Sequence, residues 1–227
     1  YLRIHREADK LIPHGVDTSR YTPSKESKEQ QLQALGIAAK QAVGIFGRVR
    51  LSKGVDILIE SMIPVLRQLE EVTVVVVGEC LPKDDSFRRK LQGTLRNAGL
   101  EDRVLFLGKQ PYKKIPALIR AMSVVTALSR SEGFGLTVLE AMASGVPVVT
   151  SEAGAWKDIV RHGTDGFVCP TGEAKEVSIA LSKLLKDQDL AERMGCSGRE
   201  RVLSCYTIER EAEMLTDHLL SLRQMNH

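Results

Sequence analysis

The sequence predicts an α/β fold, a doubly wound parallel sheet with helices on both faces. Short β-branched runs alternate with amphipathic stretches along most of the chain, as strands and crossover helices do in such a sheet. With 227 residues, 43% of them apolar, the chain can bury a sizeable core, which excludes intrinsic disorder and a disulfide-stapled miniprotein. Nothing recurs at a solenoid period.

Strands are expected at 42–46 (AVGIF), 72–77 (VTVVVV), 103–107 (RVLFL), 123–127 (SVVTA), 146–150 (VPVVT) and 166–169 (GFVC). Between the first two, Val55, Leu58, Ile59, Met62, Val65, Leu66 and Leu69 recur at i, i+3, i+4, giving a helix with one apolar face, which Pro64 should kink. Further helices are expected near 84–98, 112–121 and 136–144, with a terminal helical group from 173 to 225. The opening fits less well, because Pro13, Gly15, Pro23 and the polar run Ser24 to Gln31 interrupt it. Residues 1–20 read as a connection arriving from something upstream, and the first residue, Tyr1 in place of Met, agrees with a piece of a longer polypeptide.

Charge points away from nucleic acid. Thirty-two basic residues against 29 acidic leave only +3, and aromatics at 4% offer little for base stacking. Cys80, Cys169, Cys196 and Cys205 form no C-x-x-C pair and read as reduced thiols of a cytoplasmic protein. No apolar run approaches the roughly 20 residues that span a bilayer.

Two segments could carry chemistry. In GIFGRVRLSKG, residues 44–54, a buried strand ends at Gly47, Arg48 follows, and Lys53 opens the next helix. A guanidinium fork and a mobile ammonium five residues on could hold a diphosphate, although two solvated loop charges read equally well here. In SRSEGFGLTVLEAMASGVPVV, residues 129–149, Gly133 and Gly135 let backbone approach a ligand. There the N–H groups of Phe134, Gly135 and Leu136 lie at a helix N-terminus, a ready anion site. Glu140 suits accepting bonds from ribose hydroxyls and Glu132 from sugar hydroxyls; singly, each also reads as an ordinary surface or dipole partner.

Joined in order, G-R, K-G, E-G-F-G-L-T-V-L-E, A-M-A-S-G and V-P-V-V resemble the retaining glycosyltransferases of family four, enzymes with the GT-B fold of two facing Rossmann-like domains. The resemblance extends to IPHGVD (12–17), similar to the family's interdomain crossover, VVVG (75–78), VLFLG (104–108) and HGTDGFVCP (162–170). It implies a donor site of Gly47, Arg48, Lys53, Gly78, Gly108, Lys109, Gln110, Glu132, Gly133, Phe134, Gly135, Leu136, Thr137 and Glu140. Arg48 and Lys53 would grip the diphosphate, Glu140 the ribose, Glu132 and the Phe134 to Leu136 amides the sugar, and Gly108 to Gln110 the base. Gly78 and Glu79 would lie beside the nucleoside. Glu132, Arg48 and Lys53 would be the catalytic groups. No cofactor and no metal are implied.

Within the family, the arrangement looks closest to lipopolysaccharide core mannosyltransferases that use GDP-mannose; UDP-glucose or UDP-galactose remains an alternative donor, and a non-catalytic nucleotide-sugar-binding module an alternative role. The implied organisation is a crossover at 1–20 from a missing N-terminal domain, a nucleotide-sugar-binding domain at 21–205, and a helix at 206–227 packing back on the missing domain, which would take a glycan or lipid-linked acceptor. The fragment alone should then transfer little sugar. Residues 83–120 carry ten Lys or Arg against four acids and could touch the inner membrane peripherally, although a solvated face is the commoner reading. Asp187-x-Asp189 has the spacing of a metal-binding pair but reads as a polar helix junction. G-x-G-x-x-G, P-loop and nucleophile-elbow motifs are absent, as is any site for the pyridoxal phosphate of related phosphorylases.

Overall fold

The structure is a computed structural model describing residues 11–225; the first half of the expected crossover, residues 1–10, lies outside the described residues. Six strands, β1 (Gln41–Phe46), β2 (Val72–Val77), β3 (Val104–Gly108), β4 (Val124–Ala127), β5 (Val148–Ser151) and β6 (Gly166–Cys169), form one sheet in the order β3-β2-β1-β4-β5-β6. All five pairings are parallel. The chain starts at mid-sheet and reverses direction between β1 and β4, the switch point at which open α/β sheets form a crevice beyond their carboxyl ends.

β2 shows why an unbroken apolar run is a central strand. Val72, Val74 and Val76 pack into one core with helix α2 (Val55–Gln68), helix α3 (Asp85–Ala98) and helix α7 (Ala174–Lys186). Val75 and Val77 enter the opposite core with α4 (Ile115–Ala121) and α5 (Leu136–Ala143). Each buried valine contributes about 1.5–3 kcal/mol. Helix α2 runs through Pro64 to Gln68; Pro64 withholds the N–H that would meet the Glu60 carbonyl, and Glu60 is exposed to solvent.

The polar opening, which fits the strand–helix pattern less well than the rest of the chain, builds a helix. Ser27 and Gln30 make a reciprocal capping box on α1 (Lys28–Ala34). Tyr21, Leu32 and Ile37 are buried around that helix. A four-residue helix, α6 (Trp156–Ile159), was also not expected.

The terminal helical group consists of α7, α8 (Gln188–Cys205) and α9 (Ile208–Met225). Asp187 caps α8, its Oδ1 accepting from the Leu190 N–H at 2.9 Å. Met194, Gly195, Gly198 and Val202 bury α8 against the domain. Among its described residues α9 buries none; Leu215, Leu219 and Leu220 are all exposed. Its root is tied to the opening segment, with the Val16 N–H donating to the Tyr206 carbonyl at 2.8 Å.

Much of the basic run at 83–120 is engaged. Arg88 and Arg89 pair with Asp85, Arg96 with Glu101, and Arg103 donates to the carbonyls of Leu69 and Val72. No helix among the described residues is long and apolar enough to cross a membrane. All four cysteines are free.

Candidate functional site

Where β1 and β4 diverge, the loops at their carboxyl ends enclose a cleft of about 380 Å³. From β1 come Gly47 and Arg48, then Lys53 just before α2; from β4 come Ser129 and Glu132, followed by Phe134, Gly135, Leu136 and Thr137 at the start of α5. Residues 48 and 136, far apart in sequence, thus face one space because their strands are neighbours.

Lys53 joins the two rims. Its Nζ lies 2.5 Å from Glu132 Oε2, which also accepts from Ser129 Oγ at 3.1 Å. Both side chains of the ion pair are largely buried, at 23% and 17% exposure, so the pair is screened less than a surface one. Arg48 is exposed at the rim. Opposite, Gly135 caps α5 with φ 75°, a left-handed conformation that suits glycine. Leu136 and Thr137 open the helix, where N–H groups have no intrahelical acceptor and the macrodipole is positive. The fully buried indole of Trp156 braces this turn, its Nε1 donating to the Gly135 carbonyl at 3.3 Å.

Other expected site residues sit beyond the cleft proper. Gly78 and Gly108 continue its edge along neighbouring strand ends, the Gly47 N–H donating to Val77 O and the Gly78 N–H to Gly108 O, each at 2.9 Å. Lys109 is exposed, and Gln110 turns its amide back onto the Leu107 carbonyl at 2.6 Å. Gly133 lies exposed at the tip of the second loop. Glu140 stands one turn inside α5 and accepts from the Tyr21 hydroxyl at 2.8 Å. Burial pushes its carboxyl above the ordinary glutamate value, while Tyr21 and Arg20 pull it down.

Two residues make contacts at the site that the sequence does not anticipate. Tyr21 engages Glu140 from 119 positions away. His14 lines the cleft, its ring meeting Phe134 edge-on at 5.2 Å between centroids. Trp156, which the EAGAWKDIV context puts near the nucleotide-side loop or the core, packs against both. Neither the Tyr21–Glu140 nor the His14–Phe134 pairing has a local sequence signal, because each depends on how loops fold back over the sheet.

A six-stranded parallel α/β sheet with a cationic and amide-lined crevice at its switch point defines a class, the C-terminal domain of a GT-B glycosyltransferase. The sequence model of the family described as "Glycosyl transferases group 1" matches residues 27–201, and the chain belongs to that family. It is 38% identical over 205 residues to the lipopolysaccharide core biosynthesis mannosyltransferase LpcC of Rhizobium leguminosarum, covering 90% of this chain and 57% of that protein. The chain therefore spans little more than half the length of such a curated relative. The crystal structure of the C-terminal domain of LpcC from Francisella tularensis superposes with a TM-score of 0.82 at 35% identity, covering 86% of this chain and 100% of that one. HepE of Anabaena, solved in complex with UDP and glucose, gives a TM-score of 0.85 at 29% identity, over 93% of this chain and 57% of its own.

Proposed function

We propose that this chain is the donor-binding half of a retaining hexosyltransferase that takes mannose from GDP-mannose and delivers it to a lipopolysaccharide core or another glycan or lipid-linked acceptor. The carrying observation is that Arg48, Lys53 and the Phe134 to Thr137 turn share one cleft. In this reading Arg48, Lys53 and the α5 N-terminus neutralise the diphosphate, each charge-assisted bond contributing about 1.5–3 kcal/mol. That charge arrangement, supplied by the protein itself without metal or cofactor, stabilises the departing diphosphate as its bond to the sugar breaks. The sugar develops oxocarbenium character, as in glycoside hydrolysis, and the acceptor attacks the same face while a diphosphate oxygen receives its proton. Glu132, oriented by Lys53 and Ser129, accepts from sugar hydroxyls. Glu140, through the carboxylate oxygen not bonded to Tyr21, meets the ribose, and the edge at Gly78, Gly108, Lys109 and Gln110 lies beside the nucleoside.

Mannose and the lipopolysaccharide acceptor rest on the names of relatives such as the Rhizobium LpcC. A UDP-glucose donor is a second reading, favoured by the resemblance to HepE, which was solved with UDP and glucose. Acceptor recognition falls to the part of such enzymes that this chain does not match, and the exposed leucines of α9 are suited to packing on it. Such an enzyme would work at the cytoplasmic face of a membrane, where the exposed Lys109, Lys113 and Lys114 could meet anionic headgroups.

Calorimetry in metal-free, salt-matched buffer tests the proposal. Heat of binding is expected from GDP and GDP-mannose, and more weakly from UDP and UDP-glucose. Absence of heat from all four rejects donor binding, and a preference for the UDP pair moves the assignment to a glucose-type donor.

A further inference from the structure

His14 comes from a segment whose sequence reads only as a connection, yet it lines the cleft and packs its ring edge-on against Phe134 with an interplanar angle of 86°. Its orientation is set from outside the cleft, by α9. His14 Nδ1 lies 2.9 Å from Glu211 Oε1, and Glu211 Oε2 accepts the Gly15 N–H at 2.8 Å. The backbone here has no slack. A Cβ on Gly15 would stand 2.2 Å from the Thr207 carbonyl oxygen, and Val16 is hydrogen-bonded to Tyr206.

The chemistry of this pair restricts what the imidazole can do. The Gly15 N–H and then His14 hold the Glu211 carboxyl below its ordinary value, so it stays ionised and can only accept. His14 Nδ1 must therefore carry the hydrogen, which leaves Nε2 to face a ligand. In the neutral ring Nε2 accepts; in the protonated ring it donates. A phosphate oxygen suits only the protonated form. A sugar hydroxyl, donor and acceptor at once, suits both. Phe134 beside it supplies an apolar face, as carbohydrate C–H groups require, and Glu132 offers acceptor oxygens in the same cleft.

We propose that His14 is a donor-site residue whose Nε2 bonds a hydroxyl of the transferred sugar, and that Glu211 is the positioning residue fixing its tautomer and ring plane. The inference rests on the donor reading of the cleft and extends it to a residue outside the sheet loops. It also makes α9 more than a terminal appendage, because its first turn holds a side chain at the reacting end of the site.

The test compares GDP with GDP-mannose, and UDP with UDP-glucose, by calorimetry on the parent chain, Lys53→Ala, His14→Ala, Glu211→Ala and the His14/Glu211 double alanine variant. His14→Ala is expected to weaken the nucleotide sugar by about 3- to 10-fold, the loss of one hydrogen bond, while leaving the nucleoside diphosphate within twofold. Glu211→Ala should follow with a smaller loss and add nothing in the His14→Ala background, the coupling a purely structural role would not produce. His14 is 62% exposed, so its truncation should leave the melting temperature unchanged. Equal nucleotide-sugar affinity in the parent and His14→Ala, or equal losses for diphosphate and nucleotide sugar, overturns the proposal. If Lys53→Ala loses the diphosphate while His14→Ala changes nothing, the donor reading stands and this inference fails; if the parent binds no nucleotide, both fail.

Discussion

Across the cleft, the rim made by β1 and α2 is braced by neighbouring strands of the sheet, whereas the rim made by β4 and α5 is braced by the loop that follows β5. On the first rim, backbone meets backbone: a Cβ at Gly78 would lie 1.8 Å from the Gly47 carbonyl oxygen. On the second, Gly135 abuts the Trp156 indole, and at Gly133 a Cβ would meet nothing within 4 Å. The chemistry divides the same way. The rigid rim carries long cationic side chains that can move to a ligand, while the other carries main-chain N–H groups that move only with their backbone. Fixed amides need a dedicated brace, and Trp156 with α6 supplies one.

The largest expected effect falls on the rigid rim. Gly78→Ala should lower unfolding free energy by about 2–4 kcal/mol, from overpacking against Gly47 added to a strained backbone, and denaturant titration will read it. A loss under about 1 kcal/mol would show that this rim yields as easily as its counterpart. Next, Lys53→Ala should weaken nucleoside diphosphate binding by about 1.5–3 kcal/mol and also lower the melting temperature, because it leaves the largely buried Glu132 carboxylate without its cation. Equal affinity of the parent for nucleoside and nucleoside diphosphate would remove the cation's assigned role.

Glu140 tests the second rim by pH. Its folded carboxyl binds protons more tightly than the unfolded reference at 4.5, so native stability falls as pH rises through the interval between the two. Glu140→Gln should therefore melt above the parent at neutral pH, converge with it below the reference value where Glu140 is protonated, and bind ribonucleotides less well than the parent does. A stability gap that widened on acidification would reverse the sign. The smallest effect is Gly133→Ala, expected within about 0.5 kcal/mol of the parent because the added methyl has open space.

The strands were legible because a buried parallel strand needs a near-continuous β-branched run, and VTVVVV and GFVC match β2 and β6 residue for residue. The loops bearing Arg48, Lys53 and Glu132 were legible because strand ends in such a sheet face one crevice. Helix α1 was not read from the sequence, because Pro23 and the run of polar residues obscure the Ser27-x-x-Gln30 cap that marks its start. The contacts of Tyr21 with Glu140 and of His14 with Phe134 and Glu211 had no local trace, as each joins residues more than 100 positions apart.

The amino-acid order alone determined the alternation of strands and helices and the glycines and cations at strand ends, because backbone periodicity and turn chemistry are local properties. Tertiary folding decided the rest. It paired Lys53 with Glu132, set Glu140 beneath Tyr21, and turned His14 toward Phe134 from the root of α9, since only packing of separate segments on a common sheet brings such groups within hydrogen-bonding or van der Waals reach.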